Sequence, residues 1–160
     1  MNCDTEEYCE RDQGMSRIAF QRAFQDLSDD EIAYVMKHAR KVTFQDGDML
    51  ICEGEDAGII LVILDGKVRV VRLEQNGVEK ELVDPLVAGD TVGEMSFVDG
   101  IGASATLIAS GNVVVQSIDH SLVEEMAGND PSFHERFYHS LLRTVIRRLR
   151  ALDYQIAFPG

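Results

Sequence analysis

The chain has 160 residues, of which 45% are hydrophobic, and its 28 acidic and 15 basic side chains give a formal net charge of −13. A chain of this length builds one domain with an ordinary core, and it has no apolar run long enough to span a membrane. The acidic balance argues against nucleic acid and anionic membranes as partners, because both are bound through clustered Lys and Arg.

The N-terminal segment is polar and acidic. We interpret residues 1–15 as a flexible acidic arm and residues 16–160 as the domain. The arm lacks the apolar stretch of a secretory signal. The cysteines, Cys3, Cys9 and Cys52, are odd in number and have no paired spacing, which indicates a reducing cytoplasm. We expect no metal at Cys3 and Cys9, because no CxxC spacing or nearby His supports one.

Two short helices are predicted after the arm. A partly apolar helical pattern begins at Ser16 and ends near Leu27. Ser28 and Glu31 then have the spacing of a capping box, the reciprocal hydrogen bonding that starts many helices. Apolar residues recur on one side of the second helix, at Ile32, Val35, Met36 and Ala39.

From Lys41 the apolar period changes to two, which is typical of strands. We predict strands at residues 42–44, 49–51, 59–64, 67–73, 78–86, 105–109 and 113–118. Turn residues separate them, and Asn76–Gly77 is the strongest hairpin signal. Many short strands joined by such turns favour an antiparallel sandwich or barrel.

Residues 92–106 have a different character. A β-type segment ends at Gly93, Glu94 follows, and a short apolar piece leads to a loop that contains Ser104 and Thr106. Glycine lets a backbone approach a ligand closely, and the N–H groups of a helix start attract an anion. A carboxylate accepts hydrogen bonds from sugar hydroxyls. The stretch therefore predicts a cradle for a small phosphorylated sugar.

A long helix is predicted over residues 131–156, with Pro131 in its first turn, where the missing N–H costs nothing. Its apolar residues form two stripes. One is a seam with the heptad spacing of paired helices, which favours a homodimer: Tyr138, Leu142, Val145, Leu149, Leu152 and Ile156. The other, which we expect to lie on the sheet, is Phe133, Phe137 and Leu141. The alternative is one wide stripe that faces the core.

The stretch from Gly93 to Thr106 resembles the phosphate-binding cassette of cyclic-nucleotide-binding domains, the family of bacterial catabolite activator proteins and of kinase and channel regulatory domains. The matching cassette residues are Gly93, Glu94, Met95, Ser104 and Ala105. Gly-Asp turns and a Gly-Lys-Val segment at residues 66–68 extend the likeness over residues 20–150. The resemblance implies an α+β fold: an antiparallel, jelly-roll-like β-roll (a double-stranded β-helix) with N-terminal helices and a long C-terminal helix.

The resemblance also implies a ligand, cAMP or cGMP, and a site for it. Glu94 would hold the ribose 2′-hydroxyl, and the backbone N–H groups from Gly93 to Ser96, with Ser104 and Ala105, would hold the phosphate. The full set of implied site residues is Val83, Gly93, Glu94, Met95, Ser96, Ala103, Ser104, Ala105 and Arg148. Ser104 is equally well interpreted as a hydroxyl at a strand edge.

Ala103 stands where the family has the arginine that grips the cyclic phosphate. Losing that contact weakens binding by roughly 3–5 kcal/mol, or on the order of a hundred- to several-thousand-fold. Arg148 is a candidate replacement, because the family's long helix folds over the base. The alternative is that the Arg cluster at residues 143–150 only balances the acidic surface.

Two functions remain open at this point. The first is a stand-alone cytoplasmic cyclic-nucleotide sensor with an unknown protein partner. The second is a degenerate domain that serves dimerisation or protein interaction without nucleotide. We expect no catalytic activity, no resident cofactor and no DNA binding, since no catalytic arrangement is indicated and no helix-turn-helix segment follows the long helix. The histidines, which lie in or beside predicted helices, argue against a metal-binding cupin: His38, His120, His134 and His139.

Overall fold

The computed structural model describes residues 4–160, with side chains from Asp12 onward. The elements are α1 (Asp4–Ala23), α2 (Asp29–His38), β1 (Arg40–Phe44), β2 (Met49–Ile51), β3 (Ile59–Leu73), β4 (Glu79–Glu81), β5 (Thr91–Val92), α3 (Glu94–Asp99), β6 (Thr106–Asp119), α4 (His120–Asn129) and α5 (Phe133–Ala157). Within this part of the chain, no helix has an apolar stretch that could cross a bilayer.

Within residues 4–160 the strands form a six-stranded sheet in the order β1-β6-β3-β4, with β2 paired to β6 and β5 paired to β3. Every pairing is antiparallel. Helices α1 and α2 precede the sheet, and α4 and α5 follow it. The predicted α+β class, with an antiparallel sheet, N-terminal helices and a long C-terminal helix, is confirmed.

The two longest strands correct the predicted strand pattern. Residues 59–64 and 67–73 belong to the continuous strand β3, and β6 likewise joins residues 106–109 to 113–118. At Asp65 the pairing of β3 with β6 shifts register instead of reversing direction. Gly66 allows this because a Cβ there would lie 2.3 Å from the carbonyl oxygen of Asn112. A β-bulge thus replaces the predicted turn.

Strand β4 is shorter than predicted, since only Glu79–Glu81 of the expected strand at 78–86 is paired as a strand. The residues beyond it are held to β3 by the isolated bridge between Leu86 and Val68.

The N-terminal elements follow the sequence pattern in part. The capping box is confirmed: Glu31 N–H donates to Ser28 Oγ, and Ser28 N–H donates to Glu31 Oε1, each at 3.2 Å. Helix α1 is continuous from Asp4, so the arm boundary predicted at residue 15 falls inside a helix. Residues 1–3, with Cys3, lie outside the described part. The division into arm and domain stays a prediction.

Two apolar clusters hold the fold together. One lies on one face of the sheet, between its strands. The other joins the helices to the sheet's opposite face, and in it Phe24 stacks on Phe137 with ring centroids 5.3 Å apart. The second predicted stripe of α5 packs here as expected: Phe133, Phe137 and Leu141 are 1%, 0% and 3% exposed.

The heptad seam of α5 lies mostly outside this core. Leu142, Leu149 and Ile156 are 53%, 56% and 80% exposed, and Val145 and Leu152 are also exposed. The alternative of one wide apolar stripe facing the core is therefore wrong for the part of α5 from Leu142 onward.

Candidate functional site

The turn from β5 into α3 is built around Gly93. This residue precedes the helix with φ at 86°, in the left-handed region, where side chains other than glycine are strained. A Cβ on Gly93 would lie only 2.4 Å from the carbonyl oxygen of Ile59. The turn therefore rests directly on β3, and Glu94 becomes the first residue of α3.

Glu94 is buried, with 5% of its surface exposed. The guanidinium of Arg148, on α5, donates to Oε1 of Glu94 and to the carbonyl oxygen of Thr91. The structure thus brings together two predicted site residues, Glu94 and Arg148, from distant parts of the chain.

Two buried oxygens of this site are unsatisfied. Among the residues that the structure describes, neither Oε2 of Glu94 nor Oγ1 of Thr91 has a hydrogen-bond partner. A buried acceptor without a donor is costly, so each such group calls for an explanation such as an ordered water, an ion or a ligand. Thr91 was not among the predicted site residues, because a threonine in a strand carries no motif. Its position two residues before Gly93 was the available signal.

The electrostatics of the site follow from its burial. Desolvation raises the pKa of Glu94, while the charge of Arg148 and a hydrogen bond from the backbone of Glu94 itself oppose that shift. Asp90 adds a smaller raising effect. The carboxylate is thus held in a low-dielectric setting, where a hydroxyl donor has a stronger effect than in water.

The first turn of helix α3 has backbone N–H groups that take no part in the helix's own hydrogen bonding. Its Phe97 N–H bonds back to the carbonyl of Gly93 at 3.0 Å, so the N–H groups of residues 94–96 belong to the open first turn. Ser96 is buried at 7% exposure, whereas Met95 is 57% exposed and points away from the core.

The loop after α3 is tied to the loop after β2. Gly54 N–H donates to the carbonyl of Ala103 at 2.8 Å, and Ala103 N–H donates to the carbonyl of Glu55 at 2.9 Å. Ala103 is half-buried against the cluster inside the sheet. Ser104 is exposed, while Ala105 is buried. Ala103, the residue in place of the family arginine, therefore lies in a loop that backbone hydrogen bonds hold beside this cluster.

Two described cavities lie away from α3. One of about 660 Å³ is on the β3–β4 hairpin, between residues 72 and 82, and one of about 200 Å³ lies between α2, α4 and the start of α5. Val83, also predicted for the site, is half-buried just beyond the hairpin cavity. In the described residues, no three His, Cys, Asp or Glu side chains are grouped closely enough to hold a metal ion.

Curated relatives align with most of this chain. It is 28% identical over 134 residues to a CRP-like cAMP-activated global transcriptional regulator of Mycobacterium tuberculosis, which covers 84% of this chain and 58% of that protein. It is 32% identical over 112 residues to the lysophospholipase NTE1 of Candida albicans, covering 68% of this chain and 8% of that enzyme. The chain thus spans less than two thirds of either relative.

A solved structure has the same fold. A cyclic nucleotide-binding domain from Methylobacillus flagellatus KT superposes with a TM-score of 0.77 at 22% identity, over 89% of this chain and 84% of that one. The family model of the cyclic nucleotide-binding domain matches residues 41–130, which run from β1 to the end of α4 and include the whole of α3. The chain therefore belongs to the cyclic nucleotide-binding domain family.

Proposed function

We propose that the protein is a regulatory domain that binds cAMP or cGMP and has no catalytic activity of its own. The observation that carries this proposal is the buried Oε2 of Glu94 at the start of α3, which has no hydrogen-bond partner in the described part of the chain. A ribose 2′-hydroxyl is a donor of the kind that this oxygen lacks. The M. tuberculosis relative, which is named as cAMP-activated, supports the ligand class.

Each end of the ligand has a counterpart in the site. Glu94 accepts the 2′-hydroxyl, and the open first turn of α3, with Ser104 and Ala105, receives the cyclic phosphate. The guanidinium of Arg148 is the nearby positive charge that partly replaces the arginine absent at Ala103. Binding is weak, because this guanidinium is already paired with Glu94.

The alternative function is a degenerate domain that binds no nucleotide and serves as a dimerisation or protein-interaction module. The closed geometry favours it: Arg148 already pairs with Glu94, and that carboxylate is almost fully buried. A nucleotide that enters must displace α5 or share the carboxylate with Arg148.

Isothermal titration of the full chain with cAMP, cGMP and 2′-deoxy-cAMP separates the two functions. We expect binding of cAMP or cGMP in the high-micromolar to millimolar range. The 2′-deoxy analogue, which lacks the donor for Glu94, should bind about tenfold more weakly. If neither natural nucleotide binds at millimolar concentration, the degenerate alternative replaces this proposal. Equal affinity for cAMP and for its 2′-deoxy analogue would contradict the proposed hydrogen bond from the ribose 2′-hydroxyl to Glu94.

We further propose a cytoplasmic homodimer that relays nucleotide binding to an unidentified protein partner. The exposed seam of α5 supports the dimer, because a monomer would leave these side chains in water. The odd, unpaired cysteines support a reducing compartment.

A further inference from the structure

Helix α3 carries an apolar surface on its outer side. Met95 and Val98, one helical turn apart, share a face, and Ile101 follows just beyond the helix. They are 57%, 61% and 68% exposed. We call these three residues the α3 patch. The opposite side of α3 supplies its core contact through Phe97, at 2% exposure, so the fold itself does not require the patch to be apolar.

The surroundings of the α3 patch are acidic. Asp99 lies within it, with Oδ1 accepting from Ile101 N–H at 2.9 Å. Residues 53–56, with sequence Glu-Gly-Glu-Asp, form a loop that lies against the residue after Ile101. A Cβ on that residue, Gly102, would be 2.3 Å from the carbonyl oxygen of Gly54. Neither residues 52–58 nor residues 94–103 contain Lys or Arg. Arg72 of β3 pairs with Glu53 at 3.0 Å, so the exposed Glu55, Asp56 and Asp99 supply the acidic rim.

The apolar residues of the α3 patch and the acidic residues around it indicate which kind of partner would bind there. A second copy of this chain is disfavoured at the α3 patch, because its own acidic rim would face the same acidic rim and like charges repel across an interface. An amphipathic helix with an apolar face and basic flanks complements both features. We propose that the α3 patch docks a basic amphipathic helical segment of another protein.

The position of the patch connects docking to the candidate ligand site. Glu94 is the first residue of α3, so a partner on the patch contacts the helix that begins in that site. Ligand and partner would then change each other's affinity by the same factor. This link, unlike the docking itself, rests on the proposed function.

Docking is tested by fluorescence anisotropy of the full chain with a labelled Leu/Lys peptide of about 18 residues whose leucines recur on one helical face. A scrambled peptide of the same composition, with no apolar face, is the control for simple charge attraction. The double variant Val98→Ser/Ile101→Ser removes two patch side chains but leaves the nucleotide-site residues intact. The matched control is Leu73→Ser/Val78→Ser, on the hairpin, where the side chains are 65% and 56% exposed.

We expect the patterned peptide to bind the wild type and the hairpin variant equally, and the patch variant about tenfold or more weakly. The scrambled peptide should bind all three chains weakly. Equal binding of the patterned peptide to patch variant and wild type would overturn the proposal. A smaller sedimenting species in the patch variant would also overturn it, by making the patch an interface between copies.

These titrations contain no nucleotide, so failure of the proposed function leaves their result unaffected. Repeating them with saturating cAMP tests the link alone. A changed peptide affinity supports the link, and an unchanged one removes it while the docking stands.

Discussion

Gly93 combines a left-handed backbone with a contact that leaves no room for a side chain. We expect Gly93→Ala to lower the free energy of unfolding by roughly 2–4 kcal/mol, the sum of backbone strain and displacement of the Ile59 carbonyl. Gly77→Ala is the matched control, because its φ is also positive, at 80°, but nothing lies within 4 Å of its Cβ position. It should cost only about 1–2 kcal/mol. Urea unfolding measures both, and equal losses would show that the close approach to β3 is unimportant.

Ala103 offers a test of the cassette. We expect Ala103→Arg to strengthen binding of cAMP or cGMP by on the order of tenfold to a hundredfold, since a guanidinium adds charge-assisted hydrogen bonds to the phosphate. Isothermal titration measures the change. Gln75→Arg, on the exposed hairpin, adds the same charge elsewhere and should leave affinity nearly unchanged. No gain from a folded Ala103→Arg protein would mean that the site has diverged at more than this position.

The pair of Glu94 and Arg148 makes stability depend on pH. We expect Arg148→Met to lower the free energy of unfolding by about 3 kcal/mol at pH 7, because a buried carboxylate loses its counter-charge. Burial raises the pKa of folded Glu94 above its ordinary value of 4.5, so the folded state binds the extra proton. Stability from this group is therefore full below that value and falls as pH rises.

The defect of Arg148→Met should accordingly shrink toward pH 4, which thermal unfolding across pH can follow. The double variant Glu94→Gln/Arg148→Met is the control, and its stability should change less with pH than that of the single variant. A defect of Arg148→Met that is independent of pH would contradict this account of Glu94.

At the scale of elements, α5 has two halves with different surroundings. The first half is docked by Phe137 and by Asp26, which accepts from His139 Nδ1 at 2.9 Å and from Arg143 Nε at 3.0 Å. The hydrogen bond from His139, chiefly, lowers the pKa of Asp26. The second half carries most of the exposed seam. In this half, Arg148 contacts Glu94 and the carbonyl oxygen of Thr91.

The seam predicts the oligomeric state. We expect the wild type to sediment as a dimer at micromolar concentration and Leu149→Glu to release monomers, because it places like charges across the paired helices. Tyr154→Glu adds a charge on the same helix but off the seam, and should leave the dimer intact. A wild type that sediments as a monomer at every concentration would exclude this role of α5.

The sequence predicted those elements whose signals are local. The capping box of α2 and the buried stripe of α5 are short-range patterns, and both are confirmed. The continuity of β3 was not predictable, because Asp65–Gly66 has the composition of a turn and only its pairing with β6 makes it a bulge. The contact of Arg148 with Glu94 likewise depends on how α5 packs. The sequence named Arg148 as a candidate replacement for the family arginine at the phosphate, but it did not predict the pair with Glu94.

For the whole molecule, charge is distributed unevenly. Four of the 15 basic side chains lie within eight residues of α5, at Arg143, Arg147, Arg148 and Arg150, while the whole chain has a charge of −13. The remaining surface is therefore even more acidic than the total indicates. Copies of the chain therefore repel each other wherever their acidic surfaces meet.

The pairing of β3 with β6 also orders events during synthesis. Ile59 pairs with Asp119 and Val71 with Thr106, so α3 and Glu94 lie inside a loop that closes only when β6 is available. A ribosome must therefore release the chain through Thr106 before this loop can begin to close and through Asp119 before the pairing is complete, and it must add α5 before Arg148 reaches Glu94. A nascent chain stalled between the last two of these points would have its sheet paired, while Glu94 would still lack its contact with Arg148.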